Sequence, residues 1–185
     1  EIALRCLSHM LRILGGNDYP TREERVIALH RALAQDPAAM TGLQGGRTLS
    51  GVRIMPWRDS LLICREGAGM AGDLAISNRT VWDNRYDCRF AAQAVSGTGF
   101  RIGPLGRAGL AWARDRAPQA LADLPGAVRV TLPALRYGAE LAAIPHLGLT
   151  TGESVCPDYP IGTIGYRSVS PAWGEAFSQR FSYLH

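Results

Sequence analysis

Lysine is absent from the 185 residues, so all 20 basic side chains are arginines. That absence excludes the phosphate-binding Lys of a P-loop, the Schiff-base Lys of a pyridoxal enzyme and the Lys of a Ser-Lys dyad. Long apolar runs are missing too. None approaches the roughly 20 residues that span a bilayer, and no signal peptide opens the chain, so a cytoplasmic protein with no membrane contact is expected. Cys6, Cys64, Cys88 and Cys156 lie far apart with no C-x-x-C pair, and His9, His30, His146 and His185 are equally scattered. This spacing offers no zinc site and leads us to expect no metal site and free, mostly buried thiols in a reducing compartment.

What is present is a set of planar, permanently charged forks that suit phosphate oxygens and stack on bases, although a GC-rich genome also enriches arginine. Length and 46% apolar residues suit one domain, or a helical unit joined to a compact second one. The net charge is only +4, but between Arg79 and Arg116 seven Arg face Asp83, Asp87 and Asp115. A polyanion contact is therefore expected there first. The first residue is Glu1, already inside a helical pattern, which reads as a portion of a longer protein.

Leu4, Leu7, Leu11 and Leu14 recur at helical spacing, with Arg5, His9 and Arg12 on another face, and Gly15-Gly16 ends this first helix. Thr21 and Glu24 form a capping-box pattern at the start of a second helix, which uses Val26, Leu29, His30 and Leu33 inward and stops at Asp36-Pro37. Arg22 and Arg25 sit one turn apart near its start. After Gly45-Gly46 the period changes. Residues 47 to 55 and 61 to 65 read as two strands joined by a longer loop, Pro56 to Ser60, with Arg47, Arg53 and Arg58 lining one side. Trp57 in that loop either stacks on a base beside Arg58 or folds back over the hairpin core.

Alternation over Thr80 to Phe90 reads as one strand, with Tyr86, Cys88 and Phe90 facing one way and Arg85, Asp87 and Arg89 the other. GTGFRIG is one residue away from the dinucleotide fingerprint and lacks a β-α-β frame. Residues 107 to 123 read as a helix with Leu110, Ala113, Ala117 and Leu121 inward. Strands over Ala127 to Thr131 and Glu140 to Ile144 follow, around the turn material Leu132-Pro133-Ala134 and Tyr137-Gly138. The Gly- and Pro-rich tail from Thr150 has weak periodicity, with one short strand near its end.

These elements define an α+β chain: an N-terminal helical pair, then a mostly antiparallel β unit with one later helix. The composition places a helical segment at 1–45, a β-rich domain at 46–150 and a tail at 151–185. No G-x-S-x-G, H-E-x-x-H, Walker A or acidic metal cluster occurs, and capping accounts for Glu23-Glu24, so no catalytic residue is expected.

The ordered segments Gly15-Gly16-Asn17-Asp18-Tyr19-Pro20-Thr21-Arg22, Gly46-Arg47-Thr48-Leu49-Ser50-Gly51-Val52-Arg53 and Leu61-Leu62-Ile63-Cys64-Arg65-Glu66 are followed by Thr80-Val81-Trp82-Asp83-Asn84-Arg85, Leu132-Pro133-Ala134-Leu135 and Ile144-Pro145-His146-Leu147-Gly148. Over residues 2 to 149 this series resembles the C-terminal portion of bacterial tRNA(Ile) lysidine synthetase, its alphaproteobacterial versions in particular. The resemblance implies a cytoplasmic enzyme that adenylates the wobble cytidine of CAU-anticodon tRNA(Ile) with ATP and Mg, then displaces AMP with lysine. In that family the chemistry belongs to an N-terminal PP-loop domain with an S-G-G-x-D-S motif, which this chain lacks; Ser50-Gly51-Val52 is not a counterpart. No cofactor is therefore expected in this portion. Its partners are tRNA(Ile) and the missing catalytic domain, and its candidate RNA contacts are Arg22, Arg25, Arg47, Arg53, Arg58, Arg85 and Arg89. The competing reading is a structural or dimerising module that supports the catalytic domain and touches RNA little.

Overall fold

A computed structural model describes residues 1–35, 46–90, 99–150, 162–166 and 181–182. Asp36-Pro37, the Gly97 start of the glycine-rich stretch and Cys156 lie outside the described residues. The chain forms two compact units, Glu1–Met70 and Ala71–His185.

The first unit opens with α1 (Ile2–Gly15) and α2 (Glu23–Gln35). Leu7 and Leu11 of α1 pack with Val26 and Leu29 of α2, as the helical spacing requires, and Val52 and Ile54 complete the same core. Gly16, at φ 64°, closes α1 in the left-handed conformation. Thr21 does not cap α2. Its hydroxyl donates to Ser50 Oγ at 2.7 Å, and the Arg22 carbonyl accepts the first helical amides, from Arg25 and Val26.

Strands β1 (Arg47–Leu49), β2 (Val52–Trp57) and β3 (Ser60–Arg65) form an antiparallel meander. Ser50 and Gly51, at φ 51° and 74°, turn β1 into β2, the left-handed pair that suits a tight hairpin. The expected long loop is only Arg58-Asp59, because Pro56 and Trp57 extend β2 opposite Leu61 and Ser60. Pro56 is tolerated there because β1 reaches only as far as Ile54, so that among the described residues this end of β2 is paired on one side only. Buried Arg65 ties this turn down, donating from Nη1 to Gly51 O at 2.8 Å and from Nη2 to Gly69 O. Since Val52 and Ile54 fill the helical core, the meander belongs with the helices. The units divide at residues 70–71, a different place from the composition shift at 45–46.

In the second unit, β4 (Leu74–Ala75), β7 (Phe100–Pro104), β8 (Pro133–Tyr137), β9 (Glu140–Ile144) and β10 (Leu149–Thr150) form one sheet in the order β10-β9-β8-β7-β4. A second sheet has the order β12-β11-β6-β5, from β5 (Arg79–Trp82), β6 (Tyr86–Phe90), β11 (Gly162–Tyr166) and β12 (Phe181–Ser182). All pairings are antiparallel. Two strands of the tail segment thus join a sheet, where one short strand was expected.

Further sequence expectations fail in this unit, each for a local reason, and the expected turn material Pro133-Ala134 lies in β8. The alternation from Thr80 to Phe90 is a hairpin and not one strand, turned by Asp83 and Asn84 at φ 50° and 52°. The helix over 107–123 is divided into α3 (Gly106–Arg116) and α4 (Pro118–Ala122), because Ala117 leaves helical geometry before Pro118. Residues 127–131 are not a strand. Here α5 (Gly126–Arg129) forms a single turn after Pro125, with Val128 N donating to Pro125 O at 2.9 Å and Thr131 N to Val128 O at 2.9 Å. The carbonyls of Val130 and Leu132 accept from Gly106 and Leu105 at the start of α3, so the strand begins only at Pro133. Leu105, Leu110, Ala113, Leu121, Leu132, Ala134 and Ile144 form the core beneath these helices.

Candidate nucleic-acid interface

The meander has two faces, set by its register. Val52 and Ile54 point to the helices; Arg53, Met55 and Trp57 alternate onto the other face, opposite Cys64, Leu62 and Ser60. Arg47 pairs with Ile54 and Thr48 pairs with Arg53, so Arg47 and Arg53 lie on opposite faces rather than lining one side. Arg58 is exposed in the turn at φ 53°, and its guanidinium stands 4.5 Å above the centre of the half-buried Trp57 ring. Arg22 and Arg25 are exposed at the start of α2, and Arg47 is exposed on the edge strand β1. Arg53 is half-buried and already engaged with a partner.

The β5–β6 hairpin sorts its residues just as sharply. Thr80, Trp82, Tyr86, Cys88 and Phe90 are buried on the inner face. On the outer face Arg79 stands directly opposite Arg89, with Asp87 diagonally between them. Arg79 grips Asp87 through Nε at 3.0 Å and Nη2 at 2.9 Å, and Arg89 Nη2 lies 3.8 Å from the same carboxylate. The hydrogen bond and charge of Asp87 raise the Arg79 pKa above its ordinary value. Both arginine side chains stay about two-thirds exposed, at 66% and 68%. One carboxylate serving two guanidiniums leaves one positive charge on an oriented, accessible pair, a suitable partner for phosphate oxygens.

Arg85 takes no part in that surface. Its side chain is 4% exposed, and Nε donates to Asp83 Oδ2 at 2.7 Å while Asp83 Oδ1 accepts from Ala71 N at 2.9 Å. The Arg85 guanidinium also lies 4.9 Å from the Tyr86 ring centre. Tyr86 stacks on Trp82 and meets the edge of His146, whose pKa falls to about 4 through burial and then the charge of Arg85. Arg85 is a core ion-pair residue, buried away from the outer face that carries Arg79 and Arg89. Sequence reasoning picked Arg85 because a three-residue turn was read as strand, and it left out Arg79 because that strand was started one residue late, at Thr80.

Among the described cysteines, Cys64 and Cys88 are buried, and burial, then the charge of Asp87, pushes the Cys88 thiol up to about 12. Cys6, expected to be buried, is exposed on α1. No group of three or more His, Cys, Asp and Glu among the described residues is placed to hold a metal ion. The chemistry that the described outer faces offer is contact through guanidinium forks and an aromatic ring.

The class is α+β, with its oriented cations displayed on the outer faces of antiparallel sheets. No family model matches the chain, and no solved structure matches it. The chain is similar to the tRNA(Ile)-lysidine synthase of Ruegeria pomeroyi, 29% identical over 152 residues, which cover 82% of this chain and 32% of that protein. It spans about a third of that relative's length. The similarity supports a relation to a tRNA-modifying family over most of the chain. None of the described helices is long and apolar enough to cross a membrane.

Proposed function

We propose that this chain is the tRNA-binding, non-catalytic portion of a cytoplasmic tRNA(Ile)-lysidine synthase. On this reading ATP and Mg act in a separate PP-loop domain, and the residues here hold the body of CAU-anticodon tRNA(Ile). The carrying observation is the similarity to the lysidine synthase over 82% of the chain. The exposed arginines Arg22, Arg25, Arg47, Arg58 and Arg89 support it, and Arg79 joins them through its register with Arg89. Guanidinium contacts to phosphate position an RNA without reading its sequence. Structured RNA recognised by shape and backbone needs no compact basic cluster.

The test is an anisotropy titration with CAU-anticodon tRNA(Ile) and elongator tRNA(Met) at two salt concentrations. Binding that favours tRNA(Ile) and weakens with salt is expected, because each phosphate contact releases counterions. Salt-independent binding would remove the arginine–phosphate account.

One observation favours a second reading, a structural module that dimerises or supports the catalytic domain. Ile2, Cys6 and Met10 form an apolar stripe along α1, with Ile2 80% and Met10 38% exposed. A mass that rises with concentration in light scattering, without a tRNA shift in the same buffer, would select it.

A further inference from the structure

Trp57 sits where β2 ends, on the meander face turned away from the helices. Its neighbours there grade from covered to open along the strands: Cys64 is buried, Met55 and Leu62 are half-buried, and Ser60, Arg58 and Asp59 are exposed. Trp57 thus stands half-buried at the open end of this face, one register pair beyond Met55 and Leu62 and next to the exposed turn. The turn is unusual. Arg58 adopts φ 53°, a conformation that non-glycine residues seldom take, and this holds its guanidinium over the Trp57 ring at 4.5 Å. Arg53 lies four residues back on the same face; Asp59, in the same turn, supplies the opposing charge.

Resting on the RNA-binding reading above, we infer that the Trp57 ring, with Arg58 as its displaceable cover, is a stacking seat for one unpaired base of a bound RNA. A cation over an exposed aromatic ring is favourable by a factor of about two to five. A nucleobase on such a ring gains about five- to 150-fold. The base therefore displaces the guanidinium, and Arg58 moves onto the flanking phosphate, keeping its charge compensated. A paired stem offers no free base face, so the seat takes a single-stranded end or loop.

The experiment uses the full chain with a short labelled single-stranded RNA, the blunt duplex formed from it, and tRNA(Ile). Trp57→Ala weakens single-strand binding by about tenfold and leaves duplex binding within about twofold, while Trp57→Phe keeps most of the affinity. Because Trp57→Ala also removes buried surface, the second readout is fluorescence: the single strand quenches an emission component present in the wild type and missing in Trp57→Phe. Absence of that quenching, or full single-strand affinity in Trp57→Ala, overturns the stacking seat. If those failures come with intact, salt-sensitive tRNA binding, the RNA-binding reading stands without the seat. Failure of the wild type to bind any of the three RNAs overturns both.

Discussion

His146 is a neutral base at pH 7, held so by burial and by the neighbouring Arg85 charge, with its pKa lowered from 6.5 to about 4. On acidification the unfolded chain takes up this proton first, near pH 6.5, whereas the folded state resists it until about pH 4. The stabilisation is therefore complete above pH 6.5 and is lost as pH falls through that window, up to about 3 kcal/mol in all. We expect urea unfolding of the second unit, followed through the near-ultraviolet signal of the Trp82–Tyr86 stack, to show this loss, and His146→Gln to remove most of it. A stability equal at about pH 7 and about pH 4.5 would show that His146 is protonated at its ordinary pKa. The same cluster shows why a residue's role resists reading from its type. Arg85 and Arg89 look alike along the strand pattern, yet one closes a buried ion pair and the other faces water. The difference lies in the turn at Asp83-Asn84, whose left-handed backbone aims Asp83 at Arg85.

Between elements, α1 runs close against the β1–β2 turn. A Cβ on Gly15 would lie 2.1 Å from Ser50 O, a backbone atom that cannot swing aside. Asn17 Nδ2 donates to the same carbonyl at 2.7 Å, and Thr21 holds the Ser50 hydroxyl. Gly15→Ala should thus force the turn from the helix and cost the first unit about 2 kcal/mol, read as a lower thermal midpoint. An unchanged midpoint would mean that the two elements do not need this contact. Helices α1 and α2 were legible because one apolar stripe serves each of them. The β5–β6 hairpin was not, because its loop of three residues preserves parity: Thr80 and Trp82 before it and Tyr86, Cys88 and Phe90 after it all remain even-numbered and inward. The strand expected at Ala127–Thr131 failed for the opposite reason. Its β-branched residues follow Pro125, and hydrogen bonds to the start of α3 outweigh their weak intrinsic preference.

For the whole molecule, RNA affinity should divide the arginines by placement. Arg79→Ala and Arg89→Ala are each expected to weaken tRNA binding across sequences and to lower the salt slope by about one. Arg85→Ala should instead leave the buried Asp83 without its counter-charge, destabilising the second unit by about 3–5 kcal/mol while the slope of the folded protein stays the same. A slope that falls with Arg85→Ala and not with Arg79→Ala would reverse the assignment. The amino-acid sequence by itself determined the α+β class, the two N-terminal helices, β9 and the absence of lysine chemistry, because periodicity and composition act locally. Which arginines are displayed, where the first unit ends and what Trp57 faces were decided only by tertiary structure, since strand register and shared cores join residues that no local pattern relates.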